Sequence, residues 1–379
     1  MTSPLSFTRR RALQSLSALG LSALARPGQA QRPPVRFAQV IDTSPAQQEL
    51  SRDYSTGVRL AWAELGAARG PLSAVPLTTL ESDGSEASLQ AVLTRLREDA
   101  SIVGLVGSVG DRLAVELVAR THAAGLQIPH IAPWMADSRH DADPTVFCLF
   151  PSRDMQLRHA LGAVQGMGID DVSVVFSSER DRSSYAGEIE ALAKRLSLRV
   201  TLQAPAAGED VRALPSRMKS QASGLVLFIG TSAELAMLSQ AMSALGQHRF
   251  VLSLSDVDYA TLQQLSPGKG VPLILTQVVP HPLRSNLPVV RDYRALLKKL
   301  FDEEPSPISL AGYMAGLYAA QALQRAGGAA GATRDTLLAQ CAKRQPVELR
   351  GFRFDFTDGR RGSQYVTQTL LGSDGRLVG

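Results

Sequence analysis

The sequence predicts an α/β fold of two Rossmann-like lobes, each with a parallel sheet, joined by a multi-strand hinge. From residue 35 onward, short apolar runs alternate with amphipathic segments, and the alternation starts again after Pro-Ser-Arg-Asp at 151–154. Such alternation indicates parallel strands whose faces are covered by helices. The chain has 379 residues, more than a single hydrophobic core usually serves, which favours two lobes.

In the first half, each apolar run predicts a strand, and each segment with apolar residues at helical spacing predicts a helix. Asp83-Gly84-Ser85-Glu86 is typical of a helix start. The predicted strands are 35–41, 75–80, 101–106, 128–132 and 146–150, and the predicted helices are 47–65, 85–98 and 111–124.

The same rhythm continues in the second half. Strands are predicted at 172–176, 200–203, 225–229, 250–254 and 271–279, and helices at 155–166, 185–196, 214–220, 233–245, 289–301 and 309–326. Alternation with period two in 351–356 and 364–371 predicts antiparallel strands joined through 357–359. We expect the first lobe to hold residues 31–150 and about 279–345, and the second to hold 151–278 and about 346–379.

Residues 1–30 predict an export signal that is removed. Three arginines at 9–11 precede an apolar run to Ala25, and Gly28-Gln29-Ala30 offers small residues for cleavage. The segment Thr-Arg-Arg-x-Ala-Leu is similar to the twin-arginine export motif. A retained membrane anchor is the alternative, but residues 12–25 fall short of the roughly 20 apolar residues that a spanning helix needs.

Charge argues against two classes of partner, and the spacing of cysteines and histidines argues against a metal site. Removing residues 1–30, with four arginines and no acid, leaves 36 of the 40 basic residues against 35 acidic ones. This balance gives no electrostatic reason to expect nucleic acid or an anionic membrane. Cys148 and Cys341 could pair in an oxidising compartment, but two buried thiols are the favoured interpretation. The cysteines and histidines lack metal-ligand spacing, so no cofactor is expected.

The first candidate binding site is the loop Gly107-Ser108-Val109-Gly110-Asp111, which follows the strand 101–106. Ligands of open α/β sheets bind at the carboxyl ends of strands. Free backbone N–H groups, the dipole of the next helix and the Ser108 hydroxyl favour a carboxylate or a similar anion. A tight turn that only caps the helix would explain the same residues.

Several segments carry a resemblance to a known family. Ile102 to Glu116 and Gly125 to Pro133 resemble the leucine/isoleucine/valine-binding protein family of ABC-transporter solute receptors, whose pattern reads roughly V-x-G-x-x-G-S, helix, A-G-V-P-x-I-S-P. Further similar segments are Phe150 to Asp154, Glu303 to Ser306 with Gly312-Tyr313, and Phe354 to Gly375. The resemblance implies a type I periplasmic binding protein. Such a protein is a periplasmic monomer that binds a small molecule between its lobes and delivers it to an inner-membrane ABC permease.

The resemblance also implies site residues in the first lobe. Ser108 and the backbone of Val109 and Gly110 would hold a ligand carboxylate. Ala132 and Ala136 fall in the loop where many relatives use a backbone carbonyl and a hydroxyl group. Because alanine has no hydroxyl, one expected hydrogen bond is missing at Ala136.

The resemblance implies four further candidate residues, and the large side chain of Trp134 suggests a fifth. Trp134 is either a buried loop anchor or a cleft-facing ring that suits an aromatic or aliphatic acid. Tyr185 resembles a cleft tyrosine of the family, and an ordinary helix-start aromatic is the alternative. Thr231 and Ser232 lie in the matching loop of the second lobe. The resemblance also implies a residue, often an acid, that pairs with an α-ammonium. Asp256 is the preferred candidate, Ser253, Ser255 and Asp258 are the others, and a helix cap before Tyr259 is the alternative for each.

The sequence also bears on two other functions, an enzyme and a sensor. Val106 replaces the first glycine of a G-x-S-x-G nucleophile elbow, and no matching His and acid loops stand out, so an enzyme is not expected. The spacing of Gly104, Gly107 and Gly110 is not that of a dinucleotide site. A periplasmic sensor that shares the fold and signals to a partner protein remains the alternative to a transport receptor.

Overall fold

The computed structural model describes residues 34–70, 72–166, 168–218, 224–265, 270–357 and 359–378. The predicted export signal lies outside these residues. None of the helices within the described ranges combines the length and the apolar character that crossing a bilayer requires.

The first part of the described chain forms a sheet of five parallel strands with helices between them. In chain order these elements are β1 (Arg36–Asp42), α1 (Gln48–Ala67), β2 (Leu77–Ser82), α2 (Glu86–Glu98), β3 (Ile102–Val106), α3 (Asp111–Ala123), β4 (His130–Ile131) and β5 (Val146–Phe147). The strand order is β2-β1-β3-β4-β5. Every residue of β3 is buried, as expected for an inner strand that is covered on both faces.

The next part builds a second, mainly parallel sheet. Its elements are α4 (Arg153–Gly166), β6 (Asp171–Phe176), α5 (Glu179–Arg195), β7 (Arg199–Gln203), β8 (Leu225–Ile229), α6 (Ser232–Ala244), β9 (Phe250–Ser253), α7 (Tyr259–Leu265) and β10 (Leu273–Gln277). The remaining elements are α8 (Pro288–Leu300), α9 (Pro307–Arg325), α10 (Gly328–Gly331), α11 (Arg334–Ala342), β11 (Val347–Leu349), β12 (Phe352–Phe354), β13 (Thr367–Leu371) and β14 (Leu377–Val378). In the described chain, the second sheet has the order β14-β13-β10-β9-β8-β6-β7.

Each sheet has its own apolar core, and we call the two halves the first and second lobes. The prediction placed residues from about 346 in the second lobe, but Val347, Leu349, Phe352 and Phe354 pack in the core of the first. Of the described strands after residue 346, β13 and β14 belong to the second sheet, where β13 runs antiparallel to β10. The alternating apolar residues of this tail indicated a buried face correctly, but alternation does not identify the surface that covers it.

Two predicted elements are wrong. Residues 211–217 form the 3-10 turns Val211–Ala213 and Pro215–Arg217, in place of the described part, 214–218, of the helix expected around 214–220. The rest of that helix lies outside the described residues. The predicted pairing of 351–356 with 364–371 does not form, because β12 pairs with β11 and β13 pairs with β10 and β14. A third element, α5, begins at Glu179 after the cap residue Ser178, six residues before the predicted start.

Three segments pass between the lobes, after β5, after β10 and after β12. Two of them are bonded together, since the Gly362 N–H donates to the Cys148 carbonyl at 3.0 Å. Cys148 and Cys341 are both buried free thiols, as the favoured interpretation predicted. Burial raises the pKa of the Cys148 thiol to about 11.

Helix α1 is held in place by close packing against α9. A Cβ atom added at Gly57 would lie 1.8 Å from the Ser309 carbonyl oxygen, and one at Gly312 would lie 2.0 Å from the Tyr54 carbonyl oxygen. The two backbones therefore meet where only glycine leaves room. This packing sets the position of the first turn of α1, which lies at the site described next.

Candidate functional site

The loop between β3 and α3 has the glycine-dependent shape that the sequence predicted. Gly107 and Gly110 have φ angles of +61° and +96°, in the region that favours glycine. Ser108 is 1 % exposed, and its hydroxyl oxygen has no hydrogen-bond partner among the residues that the structure describes. The Val109 N–H donates to the Val40 carbonyl at 3.1 Å. Of the groups predicted to donate hydrogen bonds to a ligand carboxylate, the Ser108 hydroxyl is therefore unpaired within the described residues, whereas the Val109 N–H already has a partner.

The loop after β4 uses its backbone groups inside the protein. Ala132 has a φ angle of +48°, and its carbonyl oxygen accepts a hydrogen bond from the Tyr54 hydroxyl at 2.9 Å. The Ala136 N–H donates to Asp111 Oδ1 at 2.5 Å, and the Ala136 carbonyl accepts from the Arg153 N–H at 2.8 Å. Both alanines hold the loop in shape by contacts that their sequence neighbours did not reveal.

Trp134 reaches from the first lobe to the second. Its indole Nε1 donates a hydrogen bond to Asp256 Oδ1 at 2.8 Å. The ring packs against Tyr54 and Phe150, with centroid distances of 5.3 and 5.6 Å. The side chain is thus a packed anchor and also a contact between the lobes, which joins two residues that the sequence proposed separately.

Asp256 carries a perturbed carboxylate. Removal from water raises its pKa to about 6, the nearby charge of Asp111 adds to the rise, and Arg153 and the Trp134 indole oppose it. The residue is partly buried. It does not cap a helix, because Asp258 accepts the Thr261 N–H in the first turn of α7.

Arg153 connects the starts of two helices. Its guanidinium bonds the carboxylate of Asp111, lies 3.9 Å from the centroid of the Tyr185 ring and is 3.8 Å from Glu188. Tyr185 lies inside α5, so the helix-start alternative for this residue is wrong, and its ring forms a cation–π contact. Arg153 was not among the predicted site residues, although it stands in the Pro-Ser-Arg-Asp break.

The loop after β8 contributes a cap and a second contact between the lobes. Thr231 caps α6 in a reciprocal arrangement with Glu234, which accounts for its hydroxyl without a ligand. Ser232 is buried, and its hydroxyl donates to Glu49 Oε1 at 3.0 Å and accepts from the Asp258 N–H at 3.1 Å. Glu49 belongs to the first turn of α1.

A buried arginine supports the loop that carries Trp134. Arg361 is 3 % exposed and donates to the carbonyl oxygens of Met135, Phe150 and Asp137 at 2.8, 2.9 and 2.7 Å. It also pairs with Asp141. Sequence reasoning missed Arg361 because nothing in its neighbourhood indicates a contact with a loop more than 200 residues away.

The Ser108, Trp134 and Asp256 positions are linked in one chain of contacts. The Trp134 N–H donates to the Ser108 carbonyl at 2.8 Å, and the Trp134 side chain bonds Asp256. Tyr185 contacts Arg153, whose guanidinium bonds Asp111 at the start of α3. Ser232 bonds Glu49 in the first turn of α1. Ser108, Trp134 and Asp256 thus lie in loops that follow strands β3, β4 and β9, the ends of the strands at which ligands of open sheets bind.

Comparison with known proteins agrees with this architecture. Residues 34–374 match a family model described as periplasmic binding protein. An extracellular ligand-binding receptor from Verminephrobacter eiseniae is 17 % identical, with a TM-score of 0.79, and the match covers 91 % of this chain and 100 % of that one. A substrate-binding periplasmic protein from Ralstonia solanacearum is 23 % identical, with a TM-score of 0.79 and coverage of 91 % and 99 %.

A branched-chain amino acid ABC transporter protein from Thermus thermophilus with bound valine is 15 % identical, with a TM-score of 0.79 and coverage of 91 % and 94 %. No match was found among the curated proteins. At these identities, the likeness to solved structures shows the fold. The predicted two-lobe α/β fold and the predicted family resemblance are confirmed.

Proposed function

The chain belongs to the periplasmic binding protein family, and from this premise we propose that it is the solute receptor of an ABC importer. It works in the periplasm, passes its ligand to an inner-membrane permease and carries out no chemical reaction on it. Its ligand is a small carboxylate-bearing molecule, an amino acid or an aromatic or aliphatic acid, bound between the two lobes.

The observation that carries this proposal is the Ser108 hydroxyl. It is buried and lacks a hydrogen-bond partner in the described part of the chain, which is a costly state for a polar group. It lies beside the N-terminus of α3, whose dipole favours negative charge. A ligand carboxylate that accepts a hydrogen bond from Ser108 would satisfy the hydroxyl and use that dipole.

One loop cannot supply the whole affinity. A charge at a helix N-terminus contributes about 0.3–2 kcal/mol, whereas micromolar binding corresponds to about 8 kcal/mol. The remainder must come from enclosure between the lobes, which excludes water and strengthens polar contacts. Because a ligand that touches both lobes binds the closed state better, it shifts the protein toward closure, and the permease reads that shape.

The test is a thermal-shift screen of the purified protein with amino acids, aromatic and aliphatic acids and the amide of each compound. We expect the acids to stabilise the protein and their amides to do so far less. Ser108→Ala should weaken binding of a stabilising acid by about tenfold or more, yet leave the ligand-free protein at least as stable, because it removes a buried group without a partner.

Ser243→Ala serves as the matched control, since Ser243 is exposed on α6. It should change neither affinity nor stability measurably. Unchanged affinity in Ser108→Ala, or equal stabilisation by acids and amides, would refute the carboxylate role of the loop.

A further inference from the structure

Three carboxylates meet where the first turns of α1 face the second lobe. Glu49 and Asp53 lie four residues apart on α1, and Asp258 lies between β9 and α7. The Ser232 hydroxyl connects the two sides, because it donates to Glu49 Oε1 at 3.0 Å and accepts from the Asp258 N–H at 3.1 Å. We call Glu49, Asp53 and Asp258 the acidic cluster.

One oxygen of this cluster is buried without a donor. Asp258 is 2 % exposed. Its Oδ2 accepts from the N–H and the hydroxyl of Thr261 at 2.9 and 3.2 Å, which accounts for its role as a cap. Its Oδ1 is buried, and no donor reaches it from the described residues. Helix capping therefore accounts for Oδ2 of Asp258 but not for Oδ1.

The negative charge of the cluster is only partly compensated. Arg52 pairs with Asp53 at 3.1 Å, but the Arg52 side chain is 64 % exposed, so water screens this pair. The pKa of Asp258 is raised to about 6, chiefly by burial and also by the charges of Asp53 and Glu49, against the hydrogen bonds from Thr261. Burial thus disfavours the charges of Asp53 and Asp258, which also repel each other.

The cluster borders the loop that we propose for the ligand carboxylate. A Cβ atom added at Gly110 would lie 3.5 Å from Gln47 Oε1, and Glu49 follows two residues later along the chain. On the other lobe, Asp258 follows two residues after Asp256, which bonds Trp134. The acidic cluster therefore lies close in sequence, on both lobes, to residues that neighbour the Ser108 loop.

We propose that the acidic cluster binds a cationic group of the ligand, an ammonium or a guanidinium, at the end of the molecule that lies away from its carboxylate. This inference rests on the proposed function and narrows the ligand to amino compounds with a basic side chain. An organic cation fits better than a metal ion, because within the described ranges no group of three or more His, Cys, Asp or Glu could hold a metal. Ammonium and guanidinium groups offer several N–H donors, which the free Asp258 oxygen and Glu49 can accept.

The test compares compounds that differ in their distal cation. L-lysine is paired with L-norleucine, L-ornithine with L-norvaline, and L-arginine with its neutral isostere L-citrulline, and the Kd of each is measured by calorimetry at pH 7.5. For at least one pair, the cationic compound should bind about 10- to 100-fold more tightly, as expected for hydrogen bonds to charged groups.

Asp258→Asn and Glu49→Gln should each reduce that preference about tenfold or more. Both variants should fold, because an amide oxygen can still accept from Thr261 or Ser232. Asp374→Asn is the control: Asp374 is exposed at a turn of the second lobe, and its replacement should leave the preference unchanged.

The outcomes separate this inference from the proposed function. If no cationic compound is preferred over its partner, or if Asp258→Asn keeps the preference, the inference is overturned, while binding of neutral acids that depends on Ser108 would still support the receptor. Agmatine, which is arginine without its carboxylate, tests the converse. If agmatine binds as tightly as arginine and loses affinity in Asp258→Asn, the acidic cluster is supported and the carboxylate role of Ser108 is overturned.

Discussion

Replacing Asp256 with asparagine should stabilise the ligand-free protein at neutral pH and much less so in acid. The pKa of this carboxyl is raised to about 6 from an ordinary value of 3.8, chiefly by its removal from water and then by Asp111. An acid with a raised pKa in the folded state lowers stability once the pH exceeds the pKa of the unfolded chain, and the full cost is present above the folded pKa. The amide removes this charge and keeps an oxygen for the Trp134 indole.

The magnitude follows from the two pKa values. A shift of about two units corresponds to about 3 kcal/mol at pH 7.5 and falls to about 1 kcal/mol at pH 4.5. These figures are upper values, because Asp256 is only partly buried. The assay is urea unfolding of the wild type and Asp256→Asn at both pH values, with circular dichroism as the signal.

The exposed Asp374→Asn should change stability by less than about 0.5 kcal/mol at either pH. A stabilisation by Asp256→Asn that is equal at the two pH values, or a loss of stability at pH 7.5, would refute the electrostatic reasoning. The second result would mean that the attraction between Asp256 and Arg153 outweighs the cost of removing the carboxylate from water.

Three further predictions concern the packing around the site. Trp134→Phe removes the indole donor to Asp256 and should cost about 1.5–3 kcal/mol in urea unfolding at pH 7.5; a cost below about 0.5 kcal/mol would contradict the importance of this contact. Arg361→Met leaves a carboxylate and three carbonyl oxygens without their donor and should cost about 3–5 kcal/mol, measured in the same way. Gly57→Ala should lower the free energy of unfolding by about 3 kcal/mol or more, because its Cβ would meet a carbonyl oxygen. Gly66→Ala is the control on the same helix, and it should raise that free energy by about 0.5–1 kcal/mol, because a Cβ there has nothing within 4 Å. Equal effects of the two substitutions would refute the close contact between the helices.

The site residues show how far sequence reasoning extends. The Gly107–Asp111 loop was predictable, because a buried strand, two glycines and a following helix are all local features. Trp134 and Asp256 were each predicted with two alternatives, and local sequence could not decide between them. Their mutual hydrogen bond spans 122 residues of sequence and gives each side chain a partner that its local sequence did not indicate.

Other residues gave no signal that could have found them. Tyr54 and Arg361 read as ordinary members of a helix and of a tail, yet both hold the loop after β4 by bonds to its backbone. Asp258 is the second acid of the segment that holds Asp256, and its buried, donor-free oxygen distinguishes it. Such roles depend on partners far away in the chain.

By itself, the sequence determined the alternation of strands and helices and the two-lobe organisation, and it predicted the edge of the sheets at which we propose that a ligand binds. Apolar periodicity and glycine position carry this information, because they reflect how each segment is buried and how it turns. Tertiary structure alone decided which charges meet at the interlobe contacts, which core receives the segment 347–356, and which polar groups remain without a partner. Hydrogen bonds and burial are properties of pairs of surfaces, and one segment of a chain does not specify the surface that will cover it.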